Sequence, residues 1–125
     1  MKLNNFFLFL VILFIAVSCS KDQEKKSVIK EKNLDLQVLE AYKEGMNSME
    51  KGDVIFAAKK FNEAELLFPQ SIWAPKSSLM AAYAYYTQDY YGDAIAELER
   101  FIRIYSKNTN IDYAYYLLAV SYYEQ

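Results

Sequence analysis

The chain has 125 residues, a formal net charge of −2, one cysteine and no histidine. A nearly neutral chain without a basic stripe gives no sign of nucleic-acid binding. Without histidine, and with a single cysteine, the usual zinc, haem and nucleophile–base sites cannot be built. We therefore predict no metal, no cofactor and no catalytic residue.

The chain begins with an apolar segment behind a positive charge. Lys2 supplies the charge, and residues 6–17 form an unbroken run of twelve apolar side chains that ends at the small Ser18. As a helix this run would be about 18 Å long, too short for a hydrocarbon core of about 30 Å. The pattern predicts that residues 1–18 are an export signal peptide.

The only cysteine follows this segment directly. The sequence Ala16-Val17-Ser18-Cys19 resembles a bacterial lipobox, in which the thiol receives a diacylglyceryl group and becomes the new N-terminus, although Ala16 replaces the usual leucine. The alternative is an unmodified thiol, which would be an exposed liability in an exported chain. We predict lipidation of Cys19, because several acyl chains hold a soluble body firmly to a membrane. Ser20 replaces the aspartate that commonly retains lipoproteins in the inner membrane, so this resemblance favours the outer membrane.

Residues 19–33 are predicted to be a lipidated, flexible tether. From Ser20 they carry five lysines and three acidic residues, with few large apolar side chains. A flexible chain of this length spans roughly 20 Å. The alternative is that the lysines touch anionic lipid head groups, which the interspersed acids weaken.

From Leu34 onward the pattern is helical throughout. Apolar residues recur at spacings of three and four, glycine and proline are rare, and alanine, leucine, glutamate and lysine fill the segments between them. Turns are predicted at Gly52-Asp53 and at Gln88-Asp89 with Gly92, and Ser71 is a candidate helix cap. The predicted helices span residues 34–51, 54–67, 75–88, 92–106 and 112 onward.

An internal repeat of 37 residues organises these helices. Small residues recur at Gly45, Ala82 and Ala119, and others open the second helices at Ala57 and Ala94. Bulky residues recur at Phe61 and Leu98. The spacing resembles the tetratricopeptide repeat, although the period there is 34 and Ser106 replaces the terminal proline found at Pro69. We predict an all-α fold over residues 34–125, a tetratricopeptide-like α-solenoid of antiparallel helix pairs, with repeats at 38–70 and 75–108 and a partial one at 111–125.

The last predicted helix has no partner helix after it in the sequence, and its aromatic side chains lack anything downstream to bury them. We therefore expect the chain to be the amino-terminal part of a longer protein. The alternative is that a partner covers this surface.

A stripe of aromatic and methionine side chains on the first helix of each repeat is the candidate site for peptides or partners. It faces away from the small packing positions, toward the inner surface of tetratricopeptide solenoids, and suits polypeptide binding. The alternative is ordinary core between repeats, at least as good for Tyr42, Leu79 and Tyr116. The predicted binding residues are Tyr83, Tyr86, Tyr123, Met46 and Met49.

The charged residues of the second helices give no sign of an enzyme. Within the pairs Glu63 with Glu65 and Glu97 with Glu99, the two carboxylates lie two residues apart and point to different helix faces. All four are therefore expected on solvated faces. Arg100 and Arg103 are expected to favour the helix dipole or to pair with Glu97 and Glu99.

Three strings carry a more specific resemblance: WAPKSSLMAAYAYY, AELERFIRIY and NIDYAYYLLAVSYYEQ. They resemble the BamD family of outer-membrane assembly lipoproteins, from about Gln37 to the end. The resemblance implies five such repeats and a place on the periplasmic face of the outer membrane. It also implies that the amino-terminal repeats receive unfolded barrel proteins and the carboxy-terminal repeats dock the central barrel subunit. The predicted partners are therefore subunits of the β-barrel assembly machine and unfolded outer-membrane proteins.

The function expected from the sequence is binding without chemistry, helping β-barrel proteins to assemble and insert into the outer membrane. The alternative is another tetratricopeptide lipoprotein of the envelope, a scaffold in peptidoglycan synthesis or cell division. An enzyme would need a cleft with convergent polar groups, which the sequence does not suggest.

Overall fold

The computed structural model describes the backbone of residues 26–125 and side chains from Asn33 onward, so the predicted signal peptide and Cys19 lie outside the described residues. Residues 31–125 form one compact unit. Helices and turns account for the described residues, without strands, which confirms the all-α, tetratricopeptide-like fold. The helices are α1 (Lys26–Glu50), α2 (Val54–Leu67), α3 (Trp73–Tyr86), α4 (Tyr91–Ile104) and α5 (Ile111–Glu124). None of these five has the length and apolar character needed to cross a membrane.

Helix α1 starts earlier than the sequence pattern predicts. It begins at Lys26, so residues 26–33, which we assigned to a flexible tether, are helical. The physical reason is that these residues contain no glycine or proline, while their lysines and glutamate favour a helix. The rest of the predicted division into signal peptide, tether and domain stays a prediction.

The turns place the helices as antiparallel pairs. Gly52 has φ +80°, a backbone conformation that glycine adopts without steric cost, and Asp53 caps α2 by accepting a hydrogen bond of 3.1 Å from the amide of Phe56. Ser71 Oγ accepts one of 3.2 Å from the amide of Ala74 in the first turn of α3, although the N-cap position itself is Ile72.

The second turn differs in detail from the prediction. Asp89, with φ 62°, occupies the left-handed position there and accepts a hydrogen bond of 2.8 Å from the hydroxyl of Tyr91. Gly92 was assigned to this turn, but it lies inside α4. An aspartate tolerates the left-handed region because its short side chain finds local partners.

Two apolar clusters form the core. The first joins α1, α2 and the face of α3 that carries Ala81 and Ala84, and the second joins α3, α4 and α5. In the first, Gly45 lies against the fully buried Phe61 so closely that a Cβ would be 2.7 Å from ring atom Cε1. The predicted small positions Ala57, Ala82 and Ala94 are buried, whereas Ala119 is exposed.

A groove between first helices and a polar seam between second helices

A cavity of about 290 Å³ lies between α3 and α5, the first helices of the second and third repeats. Its wall is largely apolar, with polar groups at Lys76, Asn110 and the two tyrosine hydroxyls. We call its six lining residues the first-helix groove: Lys76, Leu79, Met80, Tyr83, Asn110 and Tyr113.

Aromatic rings from α1 and α3 hold one edge of this groove. The ring centroids of Tyr42 and Trp73 are 5.1 Å apart, and the ammonium of Lys76 lies 5.2 Å from the first centroid and 4.9 Å from the second. Both distances fall within the range of a cation–π contact, about 6 Å. The two rings therefore fix the position of a cation at the groove.

The structure brings some of the predicted binding residues to this surface. Tyr83 is half-buried and lines the groove. Tyr86 is half-buried against the second core cluster, with its ring centroid 5.9 Å from that of Tyr91. Tyr42 and Leu79 are buried in the core, as the alternative interpretation allowed.

The other predicted residues lie elsewhere. Met46 and Met49 are partly buried and pack against the first core cluster. Tyr123 is 85% exposed and is not among the groove residues. The assignment of these five residues to one binding surface stays a prediction.

Sequence reasoning missed Lys76, Met80, Asn110 and Tyr113 as groove residues. A signal for two of them exists, because Lys76 and Met80 stand seven and three residues before the predicted Tyr83, which places all three on one helix face. Tyr113 stands one repeat of 37 residues after Lys76. The stripe that we chose runs through the helix positions beside this face, so part of it points into the core.

The hydroxyl of Tyr113 has a raised pKa. Desolvation raises the pKa of its phenol above the ordinary value of 10.0, and the neighbouring phenols of Tyr83 and Tyr86 raise it further. Like any tyrosine phenol, it keeps its proton at neutral pH and can donate a hydrogen bond.

A second cluster of polar groups joins α2, α3 and α4, and we call it the polar seam. Glu65 on α2 receives both ends of the Arg100 guanidinium, with Nη1 2.9 Å from Oε1 and Nη2 2.6 Å from Oε2. The hydroxyl of Tyr105 donates to the same Oε1 over 2.8 Å. Such paired, charge-assisted hydrogen bonds are among the strongest in proteins.

The seam corrects one sequence prediction and confirms another. Glu65 is only 5% exposed, so the prediction that it lies on a solvated face is wrong. The physical reason is that Arg100, from the next repeat, reaches across and neutralises it. Arg100 also donates to Glu97 over 2.9 Å, so that predicted pairing is confirmed.

Further bonds close the seam from both sides. Asn62 donates to Glu97 over 3.0 Å, and Arg100 donates to Ser78 Oγ over 3.0 Å. Hydrogen bonds with Glu65 raise the pKa of Arg100, while burial and a bond with Glu65 raise that of Tyr105. The single guanidinium contacts both carboxylates, so the seam joins the two repeats and keeps one net negative charge. Among the described residues there is also no cluster of three or more metal-ligating side chains.

A family model and several known proteins are similar in sequence to this chain. The family model YfiO, described as outer membrane lipoprotein, matches residues 34–125. The outer membrane protein assembly factor BamD of Caulobacter vibrioides is 34% identical over 116 residues, which cover 93% of this chain and 37% of the relative. That of Neisseria gonorrhoeae is 37% identical over 83 residues, covering 66% and 31%. That of Rickettsia prowazekii is 29% identical over 114 residues, covering 91% and 43%.

The chain thus spans less than half the length of each of these relatives. The matched part of this chain contains the first-helix groove and the polar seam, together with the three strings that suggested the family from sequence. The chain belongs to the YfiO family of outer membrane lipoproteins.

Proposed function

We propose that this chain is a non-catalytic scaffold of the β-barrel assembly machinery, which helps β-barrel proteins to assemble and insert into the outer membrane. The relatives named as outer membrane protein assembly factors support this role. Its partners would be other subunits of that machinery and unfolded outer-membrane proteins.

The first-helix groove is the surface that would hold polypeptide, and it is the observation that carries the proposal. Its volume of about 290 Å³ suits part of a ligand, such as a large side chain, better than a whole small molecule. Tyrosine and methionine side chains provide a large contact area with polar handles, which unrelated peptide sequences can share. A chain segment carrying aromatic residues, as outer-membrane strands do, is the expected occupant.

The location follows from the same proposal. Acyl chains on Cys19 would hold the domain on the periplasmic face of the outer membrane. Cells grown with labelled palmitate should then label the parent protein and not a Cys19→Ala variant. A parent protein without label would contradict the lipid anchor.

Binding can be tested with a peptide copied from the last strand of an outer-membrane barrel. Tyr83→Ala combined with Tyr113→Ala should weaken binding at least fivefold, because both rings line the groove. Tyr115→Ala is the matched control, since Tyr115 lies on α5 like Tyr113, is 55% exposed and does not line the groove. Fluorescence anisotropy with the full chain in phosphatidylcholine nanodiscs gives the affinities, and equal affinities for a folded double variant and the parent would remove the groove from this proposal.

The alternative is a scaffold in peptidoglycan synthesis or cell division, which the names of these relatives do not favour. A photo-crosslinker at position 113, with position 115 as control, distinguishes the two in cells. Recovery of barrel-assembly subunits or barrel proteins would support the proposal, and recovery of cell-wall enzymes alone would contradict it.

A further inference from the structure

Lys76 differs in its surroundings from Lys60 and Arg100, the two described cations that form ion pairs. Lys60 is paired with Glu44 at 2.8 Å and Glu63 at 2.9 Å, which raises its pKa to about 12. Arg100 is paired with Glu65 and Glu97. Lys76 forms no ion pair with any described side chain, and two aromatic rings hold it at the edge of an apolar cavity.

The groove also differs from neighbouring cavities in charge. Three other cavities along the described residues are each lined by at least one glutamate. The first-helix groove has Lys76 and no acidic residue among its six lining side chains. Its local charge is therefore positive, although the whole chain is slightly negative.

Neutral hydrogen-bond donors accompany the cation. Asn110, at the beginning of α5, makes no capping hydrogen bond with its side chain, and Tyr113 presents a protonated hydroxyl. The ammonium and these donors line the same cavity, where they are available to a carboxylate of a ligand.

We propose that Lys76 forms an anion subsite of the first-helix groove, so that the groove selects peptide segments in which a carboxylate lies beside a large apolar side chain. The apolar side chain would enter the cavity between Leu79, Met80 and Tyr83, and the carboxylate would contact Lys76. This inference rests on the proposed function and adds the chemical class of the ligand. The carboxylate has two sources, an acidic side chain or the end of a peptide chain.

Four peptides of one common sequence separate these sources. Each contains phenylalanine, followed by a free carboxyl terminus, an amidated terminus, an internal glutamate or an internal glutamine. The full chain in phosphatidylcholine nanodiscs should bind at least one carboxylate peptide about fivefold more tightly than its neutral match. A preference within the first pair assigns the chain terminus, and one within the second pair assigns the acidic side chain.

Three variants test whether Lys76 causes the preference for carboxylate peptides. Lys76→Met keeps an apolar stem on the two rings and removes the charge, so it should abolish the preference and give each carboxylate peptide the affinity of its neutral match. Lys76→Arg should retain the preference, because arginine keeps the charge and stacks on aromatic rings. Lys59→Met removes an exposed lysine of α2 that lies outside the groove and should change nothing. Raising the salt concentration should reduce the preference in the parent, in Lys76→Arg and in Lys59→Met, and should leave the affinities of Lys76→Met unchanged.

The outcomes separate this inference from the function on which it rests. Equal affinities for charged and neutral peptides, or a Lys76→Met variant that weakens all four alike, would overturn the anion subsite and leave peptide binding intact. Failure of the parent to bind any of the four would contradict the proposed function, and the subsite with it.

Discussion

The first two repeats fill corresponding positions of their cores with residues of different size. Gly45 of the first repeat faces the large ring of Phe61, whereas Ala82 and Leu98, at the same positions one repeat later, belong to the second core cluster. A smaller residue thus accompanies a larger one, so the total volume stays similar between the repeats. Positions that recur with exchanged sizes serve packing, because a close-packed core fixes the sum of volumes more strictly than each residue.

Polar positions do not recur in this way. The buried Glu65 corresponds to the partly buried Ile102 one repeat later, and Lys76 corresponds to Tyr113. The seam and the groove are therefore particular to their places in the solenoid. In the seam every charge is met by an opposite charge, whereas Lys76 in the groove meets only aromatic rings. Comparing the repeats thus separates packing residues from those that join repeats or contact ligands.

The largest effect expected is on the polar seam. Glu65→Gln removes a buried carboxylate and leaves Arg100 without its bidentate partner, so it should lower the free energy of unfolding by about 2 to 3 kcal/mol. Urea denaturation measures this loss.

Glu63→Gln is the matched control, because Glu63 lies on the same helix but its ion pair with Lys60 is at the surface. It should cost under about 1 kcal/mol. Similar losses for the two variants would show that the seam is no stronger than a surface ion pair.

The exchange of residue sizes between repeats predicts a smaller loss of stability than the change at Glu65. Gly45→Ala places a Cβ 2.7 Å from a ring atom of the fully buried Phe61, so overpacking should outweigh the better helix propensity of alanine and destabilise the domain by about 1 to 2 kcal/mol. Adding Phe61→Leu, which copies the second repeat, should cost less than the sum of the two single changes.

Gly92→Ala supplies the contrast, since the nearest atom to its added Cβ is Gln125 Nε2 at 3.8 Å. It should stabilise by about 0.5 kcal/mol, because alanine favours the helix. Thermal unfolding of all four variants tests the pairing of sizes. Additive losses for Gly45→Ala and Phe61→Leu would contradict it.

The smallest effect concerns alkaline pH. The pKa of Tyr105 is raised from 10.0, so above pH 10 the unfolded state loses the phenol proton while the native state retains it, and stability falls as the pH rises. Between pH 10 and 11 the Tyr105→Phe variant should lose less stability than the parent. The difference between the two losses should be under about 1 kcal/mol. Tyr123→Phe, at an 85% exposed position, serves as control, and parallel curves for parent and Tyr105→Phe would refute this coupling.

Much of the fold was predictable from periodicity, since α2 agrees with the prediction to the residue and the later helices agree within two residues. The start of α1 was not predictable, because charged residues suit a tether and an exposed helix equally well. The site was predictable only in part: Tyr83 was chosen, while Lys76 and Tyr113 were missed. A stripe of side chains on one helix does not say which side of it a neighbouring helix will cover.

By itself the sequence determined the helices, the repeat of 37 residues and the small positions where backbones approach, because these depend on local spacing and side-chain size. Only the tertiary structure decided that Glu65 is buried against Arg100, 35 residues later in the chain, and that Lys76 is held by rings from two helices. Burial and charge pairing depend on which residues meet across helices. No pattern along one helix contains that information.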